Sequence, residues 1–254
     1  MSFAAREFKS PPRRPFPRKS FYTTPPTSYL PMSESFNLRS GHEVTLKFDN
    51  DSFKFVCLEE CSSCCYDHKI PLSPYDIHSL CKKLKLNTEA FLKEYTYFTQ
   101  DEEFNNTVSC NLKLKGPCEL LKNGKCSVYD TRPFLCRAYP VGVVFGPEKN
   151  SYYFHEKTCP GLNQGKNLNL GEYYRASISE EHEKHHKKWI LLRQAIAKLD
   201  IPQTEKYRKR FVNICYNFDG SAMDMLIERF QFQHLDRLDA VYKIAVQALK
   251  KPAE

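Results

Sequence analysis

Apolar and polar residues alternate through HEVTLKFDNDSFKFVC, with Val44, Leu46 and Phe48 followed by Phe53 and Phe55. A period of two marks a half-buried strand, so the stretch predicts a hairpin that turns at Asp49-Asn50-Asp51 and delivers Cys57. From Ser73 the period lengthens. Ser73-Pro74-Tyr75-Asp76 offers a capping residue, a proline for the first helical position and a carboxylate in the first turn. Ile77, Leu80, Cys81 and Leu84 then recur at helical spacing, and a second short helix is expected after Asn87-Thr88, with Phe91, Leu92 and Tyr95 on one face. TVSCNLKL (107–114) reads as a strand, Asn123-Gly124 as a turn, and Pro140–Val144 and Tyr152–His155 as two strands joined by GPEKN. From about Glu172 to Lys250 the spacing is helical again, through Trp189, Leu192, Ile196 and Leu199, then Phe211, Ile214 and Cys215, then Leu226, Phe230 and Leu235. Three helices are expected there. No internal repeat of solenoid period runs through the chain, and the expected fold class is α+β.

Residues 1–38 break both periods. Seven prolines fall between Pro11 and Pro31 and six Lys or Arg lie in the first 19 residues, which excludes a continuous helix or a central strand. The segment is expected to be a disordered basic arm. It lacks the apolar region of a secretory signal, and its prolines spoil the amphipathic helix of an organelle transit peptide, although its acid-poor, Arg- and Ser-bearing character is shared with one. Cysteine-cluster residues 39–170 and a helical extension, 171–254, complete the expected division. The longest apolar runs, VGVVF and WILL, are far below the ~20 residues that span a bilayer. A soluble protein of the reducing cytosol is expected.

That compartment changes the meaning of eleven cysteines. Thiols stay reduced there, the number is odd, and a dense pattern signals metal or catalysis rather than disulfides. Cys81, Cys110 and Cys215 occupy apolar positions of predicted elements and read as small core residues. The other eight, Cys57, Cys61, Cys64, Cys65, Cys118, Cys126, Cys136 and Cys159, lie in loops or at element ends. Thiolate is the soft ligand that selects zinc, iron–sulfur or copper(I), and thiols a few residues apart on a turning backbone can converge on one centre. Eight of them suffice for two four-ligand sites, or for one site with spectators. Adjacent Cys64 and Cys65 are expected to diverge, serving different metals or opposite sides of a cluster. Arg132 and Arg137, beside Cys136, are candidates to hydrogen-bond cluster sulfurs or offset thiolate charge, with a salt bridge to Asp130 or Glu119 as the alternative.

The run Cys57-x3-Cys61-x2-Cys64-Cys65, followed by GPCELLKNGKCSVYDTRPFLCRAYP and then CPG, resembles the YkgJ family of cysteine-cluster proteins, described as carrying a zinc- or iron-chelating domain. The resemblance spans about residues 53 to 165. It implies that the eight cysteines are the metal-binding set. It also implies that bacterial flagellin lysine methylases, which contain a similar domain with an iron–sulfur cluster, are the nearest functional reference. By that analogy a 4Fe–4S cluster is expected first and a zinc or iron ion second. Ser62-Ser63 departs from the pattern, since a glycine is common before the last pair. The arm and the helical region after Gly171 inherit nothing from the resemblance.

Enzyme readings stay open beside metal binding. Cys57-x3-Cys61-x2-Cys64 is also the spacing of radical S-adenosylmethionine enzymes, but Ser63 stands where an aromatic usually precedes the third cysteine, and no six strand–helix units of a partial barrel follow. A lysine methylase would need a methyl-donor site, and no GxGxxG loop is present. The formal charge of +8 invites nucleic acid, yet finger spacing and a basic recognition helix are missing, and KYRKR reads as a solvated helix face. A protein partner could dock on the helical extension. His182, His185 and His186, in EEHEKHHKKW, have metal-compatible spacing, but their charged neighbours predict a solvated face. His68 and His155 lie near the cysteine groups as possible substitute ligands or second-shell donors.

Overall fold

The structure is a computed structural model. It describes residues 35–37 and 43–249, apart from 59–60, 67–68, 102–103, 106, 114–116, 147–148, 156–158, 200 and 202–203. The basic arm expected over residues 1–38 lies almost wholly outside the described residues.

The chain is α+β, with short antiparallel strand pairs in its first two thirds and helices in its last third. Helix α1 (Pro74–Leu84) begins as its sequence dictates: Ser73 Oγ accepts from the Asp76 amide at 3.1 Å, and the Asp76 carboxylate accepts from the Ser73 amide at 2.8 Å. Helix α2 (Thr88–Tyr95) starts on Asn87, whose side chain accepts from Ala90 N at 2.8 Å. The chain then pairs β4 (Thr96–Gln100) with β5 (Val108–Leu112). Strand β5 is buried along its whole length, because the helical region also covers it: the Tyr216 hydroxyl donates to Val108 O at 2.7 Å. The tight hairpin β6 (Leu121–Lys122) and β7 (Lys125–Cys126) turns through Asn123 and Gly124 at φ 50° and 73°, the pair of positive values that an Asn-Gly turn supplies. Strands β8 (Val141–Val144) and β9 (Ser151–Phe154) pair as their alternation predicts.

Three expectations need correction. HEVTLKFDNDSFKFVC is not a hairpin with itself. Its first half, β2 (Glu43–Thr45), pairs with β1 (Ser35–Asn37), and its second, β3 (Ser52–Phe55), pairs with β10 (Lys166–Asn169). The chain does turn between them, where Asp51 N donates to Phe48 O at 2.9 Å, but the partners are remote. The helical region holds five helices rather than three: α4 (Leu170–Ser177), α5 (Glu180–Ala197), α6 (Glu205–Cys215), α7 (Ser221–Arg229) and α8 (Arg237–Ala248). Asn169, Ser179, Thr204 and Asp236 cap four of them with side-chain hydrogen bonds, and these caps cut a pattern that looks continuous. The histidines of EEHEKHHKKW are buried rather than solvated. They prolong, one and two turns upstream, the apolar face of α5 that continues through Trp189, Leu192 and Ile196. No parallel strand pair occurs among the described residues, so the partial barrel of a radical enzyme is not formed by them. No helix among them is long and apolar enough to cross a membrane.

Two hydrophobic cores result. The larger joins Ile70, Ile77, Phe91 and Val108 to Trp189, Phe211, Ile214, Val241 and Leu249, so α1, α2 and β5 share it with the C-terminal helices. The smaller is built from Phe53, Phe134, Val141, Tyr152, Leu170 and Tyr174. Cys81, Cys110 and Cys215 are buried in the larger core, as their apolar positions predict. Cys118, Cys126 and Cys136 pack against its edge, and Cys159 packs against the smaller core. Four of the loop thiols are thus placed along the edges of the two cores.

Closeness between two cysteine-bearing segments depends on one glycine. Val56 N donates to Gly161 O at 3.1 Å, which lays Cys57 and Cys159 on adjacent chains. A Cβ on Gly161 would stand 2.0 Å from Val56 O, a backbone atom that cannot swing aside. Gly161→Ala should therefore cost about 1–3 kcal/mol, the usual range for forced overpacking. Urea unfolding measures it, and an unchanged midpoint would show that the two chains part freely.

Candidate metal centre

Each loop thiol is held by a local backbone device. Strand β3 ends at Phe55 and leads directly to Cys57. Leu58 O then accepts from Cys61 N at 3.1 Å, and a single turn of 3-10 helix, Ser63–Cys65, is closed by Cys65 N donating to Ser62 O at 2.7 Å. The Cys61 thiol donates to Ser63 Oγ at 3.5 Å, so the serines that replace the usual glycine take part in the turn. Cys118 N donates to Cys65 O at 2.8 Å and Tyr66 pairs with Pro117, which binds the first run to the second across some fifty residues. The Asn-Gly hairpin returns Cys126 opposite Leu121, and the five-residue helix α3 (Phe134–Ala138) carries Cys136.

The eight thiols interact with one another. Burial is the main cause that pushes Cys57, Cys118, Cys126, Cys136 and Cys159 up from the ordinary thiol value, and neighbouring sulfurs add to it in every case. Cys57 feels Cys64, Cys61 and Cys159; Cys136 feels Cys64, Cys118 and Cys126. Cys64 and Cys65 do not diverge as expected. Their side chains share a hydrogen bond, which holds Cys64 down at about 6 against its own burial and pushes Cys65 up. Two overlapping groups emerge: Cys57, Cys61 and Cys159 on one side, Cys65, Cys118, Cys126 and Cys136 on the other, with Cys64 acting on both. Among the described residues no three Cys, His, Asp or Glu side chains already converge on an ion-sized position.

The two arginines differ. Arg132 lies over the Tyr129 ring at 3.9 Å, donates through Nε to Tyr129 O at 3.2 Å, and pulls down the proton affinity of Cys57, Cys64, Cys126 and Cys136. Arg137 turns away, its Nε donating to Arg132 O at 2.9 Å and its Nη2 to Asp130 O. Asp130 itself pairs with Lys83 at 2.7 Å.

Several neighbours carried no signal in the sequence. The Tyr139 hydroxyl hydrogen-bonds the Cys159 sulfur, and Tyr173 donates to Tyr139 O at 2.9 Å. A small cavity of about 20 Å³ lies between Cys64, Cys136, Ile70, Leu135, Tyr139, Val141 and His155, enough for one water-sized group. His155 thus shares a wall with two of the thiols, its ring stacked on Tyr139 at 5.9 Å. His68 lies outside the described residues.

The chemistry of the donors suits a soft metal, since thiolates with a guanidinium beside them are what zinc and iron–sulfur sites use. No curated protein and no solved structure matches the chain. Residues 56–160, somewhat under half of the sequence, do match a family model whose description reads "CxxCxxCC: Putative zinc- or iron-chelating domain", and that segment contains all eight of the loop cysteines.

Proposed function

We propose that the chain is a metal-binding protein whose eight loop cysteines hold iron as an iron–sulfur cluster of the four-iron kind, with zinc on the same thiolates as the second reading. The observation that carries it is the backbone bonding that ties three cysteine-bearing segments together, Cys118 N donating to Cys65 O at 2.8 Å and Val56 N to Gly161 O at 3.1 Å, with sulfurs of each segment raising the proton affinity of others. Thiols that raise one another's proton affinity cannot ionise together without a positive charge among them. A bound metal supplies that charge. Arg132 contributes a fixed part of it from the edge, and the hydrogen bond from Cys65 together with that guanidinium lowers the Cys64 thiol. The overlapping groups suit two four-thiolate sites or one larger assembly. The similarity of the domain to that of the flagellin lysine methylases favours iron over zinc.

Protein isolated without oxygen should be brown and contain iron and inorganic sulfide. A colourless sample with stoichiometric zinc would replace iron by zinc, and a sample that takes up neither metal would overturn both readings. Cys64→Ser and Cys126→Ser should weaken metal retention by more than about tenfold, the lower end of what even outer-shell losses cost, while Cys215→Ser keeps its metal. Equal loss in all three would contradict the division between site and core.

The sign of the pH dependence follows from the same groups. Thiols raised in the fold keep protons that the unfolded chain gives up near pH 8.5. Their contribution to metal-free stability is complete below that value and is lost as pH rises further. Cys64, lowered to about 6, works the other way, losing its contribution as pH falls through 6, but it is one against six. The urea midpoint of metal-free protein should therefore fall between about pH 8 and 10. In metal-loaded protein acid should release the metal, because protons compete for the same sulfurs. A midpoint that rises in alkali would show that the fold does not hold these thiols protonated.

A further inference from the structure

Helix α3 is too short to hold itself. Five residues make little more than one turn, and a single turn has no stability of its own in water. Its first amide, Phe134 N, donates to Asp76 Oδ1 at 2.8 Å. The same oxygen accepts from His182 Nε2 at 2.8 Å, while Oδ2 accepts from Ser73 N and Ser73 Oγ at 2.8 and 2.7 Å. Asp76 is 1% exposed and His182 4%. Capping α1 needs only Oδ2, so the second oxygen is committed to joining α1, α3 and α5. Burial would push the Asp76 carboxyl up, but hydrogen bonds from His182 and Ser73 outweigh it and hold it at about 2. The carboxylate is therefore charged at any ordinary pH, and a charged acceptor makes the stronger hydrogen bonds.

Rings complete the joint. The His182 ring meets Phe134 edge-on at 5.6 Å and lies 4.9 Å from Tyr75. His186, one turn further along α5, stacks on Phe134 at 3.9 Å and 8°. Phe134 thus has its amide held by Asp76 and its ring held by α5, two residues before Cys136.

We propose that Asp76 and His182 are positioning residues for the thiol site, fixing the first turn of α3 so that the Cys136 sulfur faces Cys64, Cys118 and Cys126. The effect on metal rests on the reading given above; the effect on Cys136 itself does not. Helix α5 lies outside the matched segment 56–160, so the joint makes part of the helical region a working component of the centre. The coupling is reciprocal: whatever fixes Cys136 also steadies α5.

The test compares His182→Leu, which removes the donor, with His182→Gln, whose amide can replace Nε2–H. In metal-free, folded protein, iodoacetamide alkylation mapped by mass spectrometry gives the rate at Cys136 relative to Cys118. His182→Leu should change that ratio by about tenfold or more, and His182→Gln should restore it to within a few-fold. Cobalt, titrated against a chelator, should bind about 10–100-fold more weakly to His182→Leu, with an altered thiolate charge-transfer band, as outer-shell losses do. An unchanged alkylation ratio, with only a lower unfolding midpoint, would reduce the joint to ordinary packing and overturn the proposal. If His182→Leu does not fold, the ratio is read on His182→Asn, whose amide is too short to reach Asp76. If the wild-type protein binds no cobalt, the metal reading fails while the alkylation ratio still decides this one.

Discussion

A thiol cannot easily lose its proton beside another that has already lost one. That electrostatic constraint bears on the loop cysteines of this chain, whose sulfurs raise one another's proton affinity. Burial and mutual repulsion both favour the protonated form, and they are opposed by the guanidinium of Arg132, by the hydrogen bond that Cys65 donates to Cys64, and by the backbone amides and the Tyr139 hydroxyl that donate to other sulfurs of the set. None of these is enough to ionise the whole set. The arrangement is consistent with sulfurs that ionise when a cation arrives, and the domain's match to a zinc- or iron-chelating family points the same way.

The fold serves these thiols by using two small cores rather than one. Strands β3 and β10, closed at Gly161, bring Cys57 against Cys159 on the edge of the smaller core. The Cys118–Cys65 backbone bond and the Asn-Gly hairpin place the middle group on the edge of the larger one. Seven of the eight thiols are thus half-buried, and Cys57 is exposed. Apolar surroundings strengthen the charge interactions among such groups.

What the sequence revealed tracks how local each interaction is. The capping box at Ser73, the Asn87 cap, the Asn123-Gly124 turn and the β8–β9 pair all involve residues within about fifteen positions, and each was legible. The placement of Cys81, Cys110 and Cys215 in the core followed from apolar periodicity alone. The partner of β3 was not legible, because β10 lies over a hundred residues away and nothing in SFKF names it. The five helices were hidden because caps of one residue interrupt a pattern that is otherwise periodic. The buried histidines look solvated in sequence because Glu and Lys flank them, while Asp76, the carboxylate that bonds His182, stands 106 positions away. Their continuation of the Trp189–Ile196 face was the signal that could have corrected this.

Asp76 shows why a short motif can be necessary to a distant site without belonging to it. As a capping residue it needs only local partners, and any Asp or Glu after a Ser would serve α1. A carboxylate has two oxygens, however, and burying it completely demands that both be satisfied. The second oxygen therefore has to recruit donors from elsewhere, and here the Phe134 amide and His182 answer that demand. A desolvation cost incurred at one helix start is in this way converted into alignment of three helices, one of which bears Cys136.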